Sequence, residues 1–149
     1  MPDEKIEMIS INKTVVNERL FIIEGCLNRL RQFQLISLEE FEKGDNFAIA
    51  EHYLRRALEA SLEIGTHILS RLPGVKPQSY KDIALLLGEN NVLPLDFAKE
   101  KFEKMAGFRN RLIHFYPKVT SHELYTIIQN ELPDLEKFCQ HIVKYIEKI

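Results

Sequence analysis

The stretch that decides the fold is Pro94-Leu95-Asp96-Phe97-Ala98-Lys99-Glu100-Lys101-Phe102-Glu103-Lys104-Met105-Ala106-Gly107-Phe108-Arg109-Asn110-Arg111-Leu112-Ile113-His114-Phe115-Tyr116. Leu95, Ala98, Phe102 and Met105 step by three, four and three, the period of a helix buried along one stripe. Pro94 suits a first helical turn. The helix must stop before Pro117, because the residue ahead of a proline is pushed out of the α region. Continued past Met105, the ladder places Arg109 between Met105 and Leu112, with Tyr116 as the next rung.

The same period extends on both sides. A first helix spans about Ile11 to Leu35, with one apolar row on Val16, Leu20, Ile23, Leu27 and Leu30 and a second on Val15, Ile22, Cys26 and Phe33. Two rows imply more than one packing neighbour. Ser37 with Glu40 forms a capping box for a short continuation. A second long helix follows Asp45, a good N-cap, and ends near Arg71. Within it Ala57, Ser61 and Gly65 make a small-residue strip that lets another helix come close. A shorter helix covers Ser79 to Leu87. The last starts at Thr120, with Glu123 three positions on, and Pro133 is expected to kink or interrupt it. Breaks fall at Gly44, at Leu72 to Pro77, at Gly88 to Pro94 and at Tyr116-Pro117, and no segment alternates as a strand does. The expected fold is all-α, an antiparallel bundle of four main helices plus a short one, forming a single domain over residues 1–149.

Composition bounds the function. At 149 residues, 45% hydrophobic and 28% charged, the chain is globular and long enough to bury about 70% of its unfolded surface. Cys26 and Cys139 match no metal or redox spacing, and a reduced, cytoplasmic setting fits them best. No secretory signal and no membrane-spanning run is present. Net charge is −2, yet Lys99, Lys101, Lys104, Arg109, Arg111 and Lys118 face only Glu100 and Glu103 between positions 99 and 118. That local excess of four positive charges suits a selective anionic ligand, with a solvated helix face as the alternative.

Chemistry concentrates in residues 109–116. An arginine on an apolar stripe is costly unless its head reaches a partner, water or a ligand. Asn110 and His114 lie one turn apart with Glu103 and Gly107 on the same row, where Gly107 leaves space over the face. Arg109 and His114, five apart, are separated by about 140° around an ideal helix. A two-fold dimer in which each site draws groups from both chains would bring them together. The bland alternative for His114 is a helix-end histidine favoured by the dipole. His52, His67, His122 and His141 form no metal motif, and Glu63 with His67 reads as an ordinary surface pair. No phosphate-cradling glycine loop, dinucleotide fingerprint or nucleophile elbow occurs. Phe97 and Phe108 share a row with Lys101 and Lys104, and packing is preferred there to a base-stacking strip. Arg55-Arg56 reads as a solvated pair, with added charge beside the site as the alternative.

The spacing Arg-Asn, three residues, His, one residue, Tyr resembles the signature of the HepT toxins, within the wider HEPN class of α-helical nucleases. Residues 57–69, Pro77-Gln78-Ser79-Tyr80-Lys81, Val92-Leu93-Pro94 and residues 105–111 also fall in register with that family. Phe115 departs from it, in a place where relatives often carry an acidic or polar side chain. The resemblance implies a homodimeric, metal-independent RNase toxin of a type VII toxin–antitoxin system, with no cofactor and with composite sites at the dimer interface. Arg109, Asn110 and His114 would be catalytic, and Arg111, Lys104 and Lys118 would add RNA contacts. The implied partner is an MntA-type nucleotidyltransferase antitoxin that transfers AMP to the motif tyrosine, Tyr116. A non-catalytic helical subunit, serving as substrate-binding or scaffold partner of a nucleotidyltransferase, is the alternative.

Overall fold

A computed structural model of the chain describes residues 10–114 and 118–149, and the elements among them are all helical. Helix α1 (Lys13–Arg31) runs on into a 3-10 turn (Gln32–Leu35), and α2 (Leu38–Phe41) is a single turn. Helices α3 (Asn46–Ser70), α4 (Tyr80–Glu89), α5 (Leu95–Phe97), α6 (Glu103–His114) and α7 (Ser121–Glu147) follow. The expected all-α bundle and its order of long and short helices are what the structure has.

Side-chain caps set most of the starts. Asn12 Oδ1 accepts from the Val15 N–H, Ser37 Oγ from Glu40, Ser79 Oγ from Asp82 and Thr120 Oγ1 from Glu123. At α4 the cap is reciprocal, because Asp82 Oδ2 accepts the Gln78 N–H at 2.9 Å. Asp45 corrects the expectation. It holds the cap position of α3 at φ −100°, ψ 13°, outside the extended conformation that aims a cap oxygen into the helix, and makes no capping bond. Asn46 Nδ2 instead donates to the Glu40 carbonyl at 3.1 Å and ties the turn to α2.

Helix α1 lies along α3, burying Val16, Ile23, Leu27 and Leu30 with Cys26 and Phe33 beside them, the two-row stripe its sequence implied. The small-residue strip of α3 lets α4 in close. A Cβ at Gly65 would stand 2.9 Å from Leu87 Cδ1 and 3.0 Å from Ile83 Cγ2. Helix α7 buries Leu124, Ile128, Leu132, Leu135, Phe138, Ile142 and Ile146, spaced by threes and fours along its whole length. Pro133 does not interrupt it. The missing N–H leaves one ladder bond unmade, and the buried Leu132 and Leu135 on either side hold the helix in place. Phe102 stacks on Phe138 at 4.7 Å and joins the fourth helical segment to the last.

That fourth segment departs from its ladder. Between α5 and α6, Ala98–Phe102 form a π-turn, closed where the Glu103 N–H donates to the Ala98 carbonyl five residues back. The wider turn shifts the phase of everything before it. Leu95, expected in the core, is 45% exposed, while Phe97 turns inward against the His141 ring, 5.0 Å between centroids. Beyond the turn Phe102, Met105 and Leu112 are buried as the spacing required, and Phe108 joins them. Phe97 and Phe108 are therefore packing residues, as preferred.

Candidate functional site

Two cavities border helix α6. The smaller, of about 430 Å³, lies between α3, the start of α4 and α6, and is lined by Arg109 and Asn110 with Leu62, Ser79, Tyr80 and Ile83 among others. The larger, of about 730 Å³, is a groove between α6 and α7. Its floor includes Leu54 and Leu58 of α3, and Asn110, Arg111, Lys104, His122 and Thr126 stand around it. Asn110 and Tyr80 belong to both.

Arg109, expected on the buried stripe, is half-buried at its border. It has a partner within the chain. Its Nη2 lies 3.8 Å from Glu59 Oε2 on α3, a long ion pair. Its Nε is buried without a hydrogen-bond partner among the described residues. Glu59 also lies 3.7 Å from Arg55 Nη1, and Arg55 Nε donates to Glu51 at 2.9 Å. The reading of Arg55-Arg56 as a solvated pair therefore fails for Arg55, which is linked through Glu59 to Arg109. Arg56 is exposed.

The basic region is less bare than its sequence. Arg111 grips the Glu123 carboxylate of α7 through both terminal nitrogens, one contact at 2.9 Å, and lies over the Phe108 ring at 5.7 Å. These hydrogen bonds raise its pKa further. Lys104 Nζ lies 3.3 Å from Glu131, also on α7. Three of the six cations counted between 99 and 118 thus meet carboxylates from other helices, which spacing within one segment cannot show. Lys118 is exposed.

His114 is exposed at the end of α6 and lines neither cavity. Within one protomer the structure brings Arg109 and Asn110 to a common cavity, but not His114. Tyr116 lies outside the described residues, as do Phe115 and Pro117. Gly107 corrects a detail. Its face is not open, because a Cβ there would touch Tyr80 Cε2 at 3.7 Å, ordinary van der Waals contact. Tyr80 is the site residue that the spacing argument missed. It comes from a different helix, and only its place in the Pro77–Lys81 segment marked it. The Glu63–His67 surface pair is also replaced: Glu63 meets Arg19 Nε at 2.8 Å, and His67 Nε2 accepts the Asn12 N–H at 3.0 Å. Among the described residues no three His, Cys, Asp or Glu side chains gather as a metal site would need, and no helix is long and apolar enough to cross a membrane.

Comparison with known proteins places this geometry in a class and then a family. The toxin in the structure of a tri-AMPylated Shewanella oneidensis HEPN toxin in complex with MNT antitoxin superposes with a TM-score of 0.77 at 25% identity, over 87% of this chain and 97% of that one. YutE of Bacillus subtilis, a cytosolic protein of unknown function, shares the fold with a TM-score of 0.79 at 21% identity, over 93% and 92%. The bundle is thus of the HEPN kind. A family model described as Ribonuclease HepT-like matches residues 23–142, and the chain belongs to that family. Among its relatives, the tRNA nuclease HepT of Aphanizomenon flos-aquae is 27% identical over 93% of this chain and 95% of its own. The mRNA nuclease HepT of Shewanella oneidensis is 26% identical over 86% and 95%.

Proposed function

We propose that this protein is an endoribonuclease toxin that cleaves RNA through attack by the ribose 2′-hydroxyl, at a site completed across a two-fold dimer. Family membership and the nuclease relatives support the activity. The observation that carries the mechanism is Arg109, a guanidinium at a cavity wall with a long ion pair and, among the described residues, no hydrogen-bond partner for its Nε. Such a group can take the non-bridging oxygens of a phosphate bidentately and stabilise the charge that develops at phosphorus. Asn110 beside it orients a phosphate oxygen or an imidazole. His114 carries the proton, removing one from the 2′-hydroxyl or supplying one to the leaving oxygen. Because His114 does not reach the Arg109 cavity in its own chain, a second copy supplies the missing group. Lys118, which is exposed, contributes an RNA contact at the margin, and Lys104 and Arg111, each already paired with a carboxylate of α7, contribute polar contacts rather than free charge.

These steps need only proton transfer and charge stabilisation, so cleavage proceeds without a metal ion, leaves 2′,3′-cyclic phosphate ends and survives chelation. The partner is a nucleotidyltransferase antitoxin of the MntA type, which transfers AMP to Tyr116 and places bulk and negative charge where RNA phosphate must lie. The setting is a cytoplasmic toxin–antitoxin pair. The test is cleavage of total RNA by purified protein with and without EDTA. Arg109→Ala and His114→Ala should each lower the rate by about 100-fold or more. Activity that needs added divalent metal, or that persists in His114→Ala, overturns the mechanism. Growth arrest that Arg109→Ala fails to relieve would favour the non-catalytic subunit. Intact-mass measurement after co-expression with the nucleotidyltransferase tests Tyr116.

A further inference from the structure

The groove between α6 and α7 shares Asn110 with the Arg109 cavity and has Lys104 and Arg111 at its edge, but its construction differs from that of the cavity. Its floor is apolar, with Leu54, Leu58, Phe108, Leu132 and Leu135 all buried. Hydrogen-bonding groups stand around it on Asn110, His122 and Thr126. The two cations at its edge are matched by acids: Arg111 is held by Glu123 and Lys104 by Glu131, each pair reaching from α6 to α7. A phosphate gains little from such neutralised cations and is repelled by the carboxylates. A flat, polar-edged, uncharged group fits the same lining well.

The wall between the two cavities is Tyr80. Its Cε2 and hydroxyl stand 3.7 and 3.9 Å from where a Cβ on Gly107 would be, so one edge of the ring rests over α6. Tyr80 and Asn110 line both spaces, so a chain whose phosphate sits on Arg109 has its neighbouring nucleoside at the mouth of the groove. We propose that the groove is a nucleobase subsite, in which the base next to the phosphate on Arg109 packs against Tyr80 and is read by groups around the rim. The inference rests on the RNA-cleaving function proposed above. It divides the nucleotide by chemistry, with charge on one side of Tyr80 and the base on the other. Base recognition by an aromatic face and edge hydrogen bonds is how single-stranded RNA is ordinarily read.

The test uses the four homodinucleotides ApA, CpC, GpG and UpU with 2′-O-methyl groups, which cannot undergo attack by a 2′-hydroxyl. Binding to the full-length protein is followed by NMR on methyl-labelled Leu, Ile and Met. At least one dinucleotide should bind fivefold or more tightly than the weakest, with shifts at Leu58, Met105 and Ile127. Tyr80→Ala should weaken it about tenfold and flatten the ranking, and Tyr80→Phe should restore both. Thr126→Trp, at an exposed position on α7, should fill the groove and abolish the preference, with circular dichroism confirming the fold. Arg109→Ala should weaken all four alike and keep their order. Silent floor methyls, or an unchanged ranking in both Tyr80→Ala and Thr126→Trp, overturn the proposal. So does loss of self-association in Thr126→Trp with those methyls silent, which would assign the groove to a second copy. Dinucleotide binding in the groove without RNA cleavage would defeat the proposed function alone, and cleavage with a silent groove would defeat this inference alone.

Discussion

Among the described residues one carboxylate reaches Arg109, and the looseness of that contact has consequences for substrate binding. At 3.8 Å and partly exposed, the Glu59 pair holds the guanidinium near the cavity without occupying all its donors. Exposed pairs of this kind contribute about 0.2–1 kcal/mol. Removing the acid should therefore favour RNA phosphate by a small factor. Glu59→Gln is expected to lower KM for RNA by about two- to fivefold with kcat within twofold. A raised KM in steady-state kinetics would show that Glu59 positions Arg109 instead. His67 gives a second prediction at this scale. Its Nε2 accepts the Asn12 N–H, so the folded state needs the neutral ring, and burial, then Arg71, lowers its pKa. A depressed native pKa means that the unfolded chain binds the proton more readily. The resulting stability is full above about pH 6.5 and is lost as pH falls through the lower native value. Tm should drop on acidification from pH 7.5 to 5.5. The drop should be smaller in His67→Gln, which keeps an acceptor and removes the titration.

At the scale of elements, two glycines with the same helical setting should respond in opposite directions. Gly65 lies under α4, where an added Cβ would press on Leu87 and Ile83 at 2.9 and 3.0 Å. Gly65→Ala should cost about 1–3 kcal/mol in denaturant unfolding, as α3 and α4 are forced apart. Among the described residues Gly107 meets only Tyr80, at 3.7 Å. Gly107→Ala should raise stability by up to roughly 1 kcal/mol, the helix-propensity difference. Equal losses in both would refute this packing of α4. The starts of the helices were legible because local chemistry decides them, as at Ser37, Ser79 and Thr120. Asp45 has the right residue type in the right place, but the tie from Asn46 to α2 leaves it at the wrong backbone angles. The π-turn was not legible. Each apolar residue in residues 95–105 fits an unbroken helix, and only contact with α7 through Phe97 and Phe102 distinguishes the two windings.

For the whole molecule, burial makes the thiols inert. The Cys139 thiol is pushed up to about 12, chiefly by burial and then by Glu24, and burial raises Cys26 against the opposing pull of Arg56. Neither should react with a disulfide reagent at pH 8 until the protein unfolds, and rapid labelling of the native protein would contradict the packing of α1 and α7. Tertiary structure also explains which parts of the site could be read in advance. Arg109 stood out because a charged residue on an apolar ladder asks for a partner. The partner itself, Glu59, lies 50 positions away on α3, and Tyr80 arrives from α4, so no spacing within residues 109–116 could announce either. The acids that meet the basic residues of 99–118 were hidden for the same reason, since Glu123 and Glu131 approach from α7.

The π-turn at Ala98–Phe102 also makes the segment tolerant of a change in length. In an unbroken helix each residue added or lost swings everything beyond it by about 100°, but the extra residue of a π-turn can be given up as the turn closes to an ordinary one. Removing Glu100 would set Phe97 and Phe102 four apart, still on one face, and leave the arginine, asparagine and histidine aimed as before.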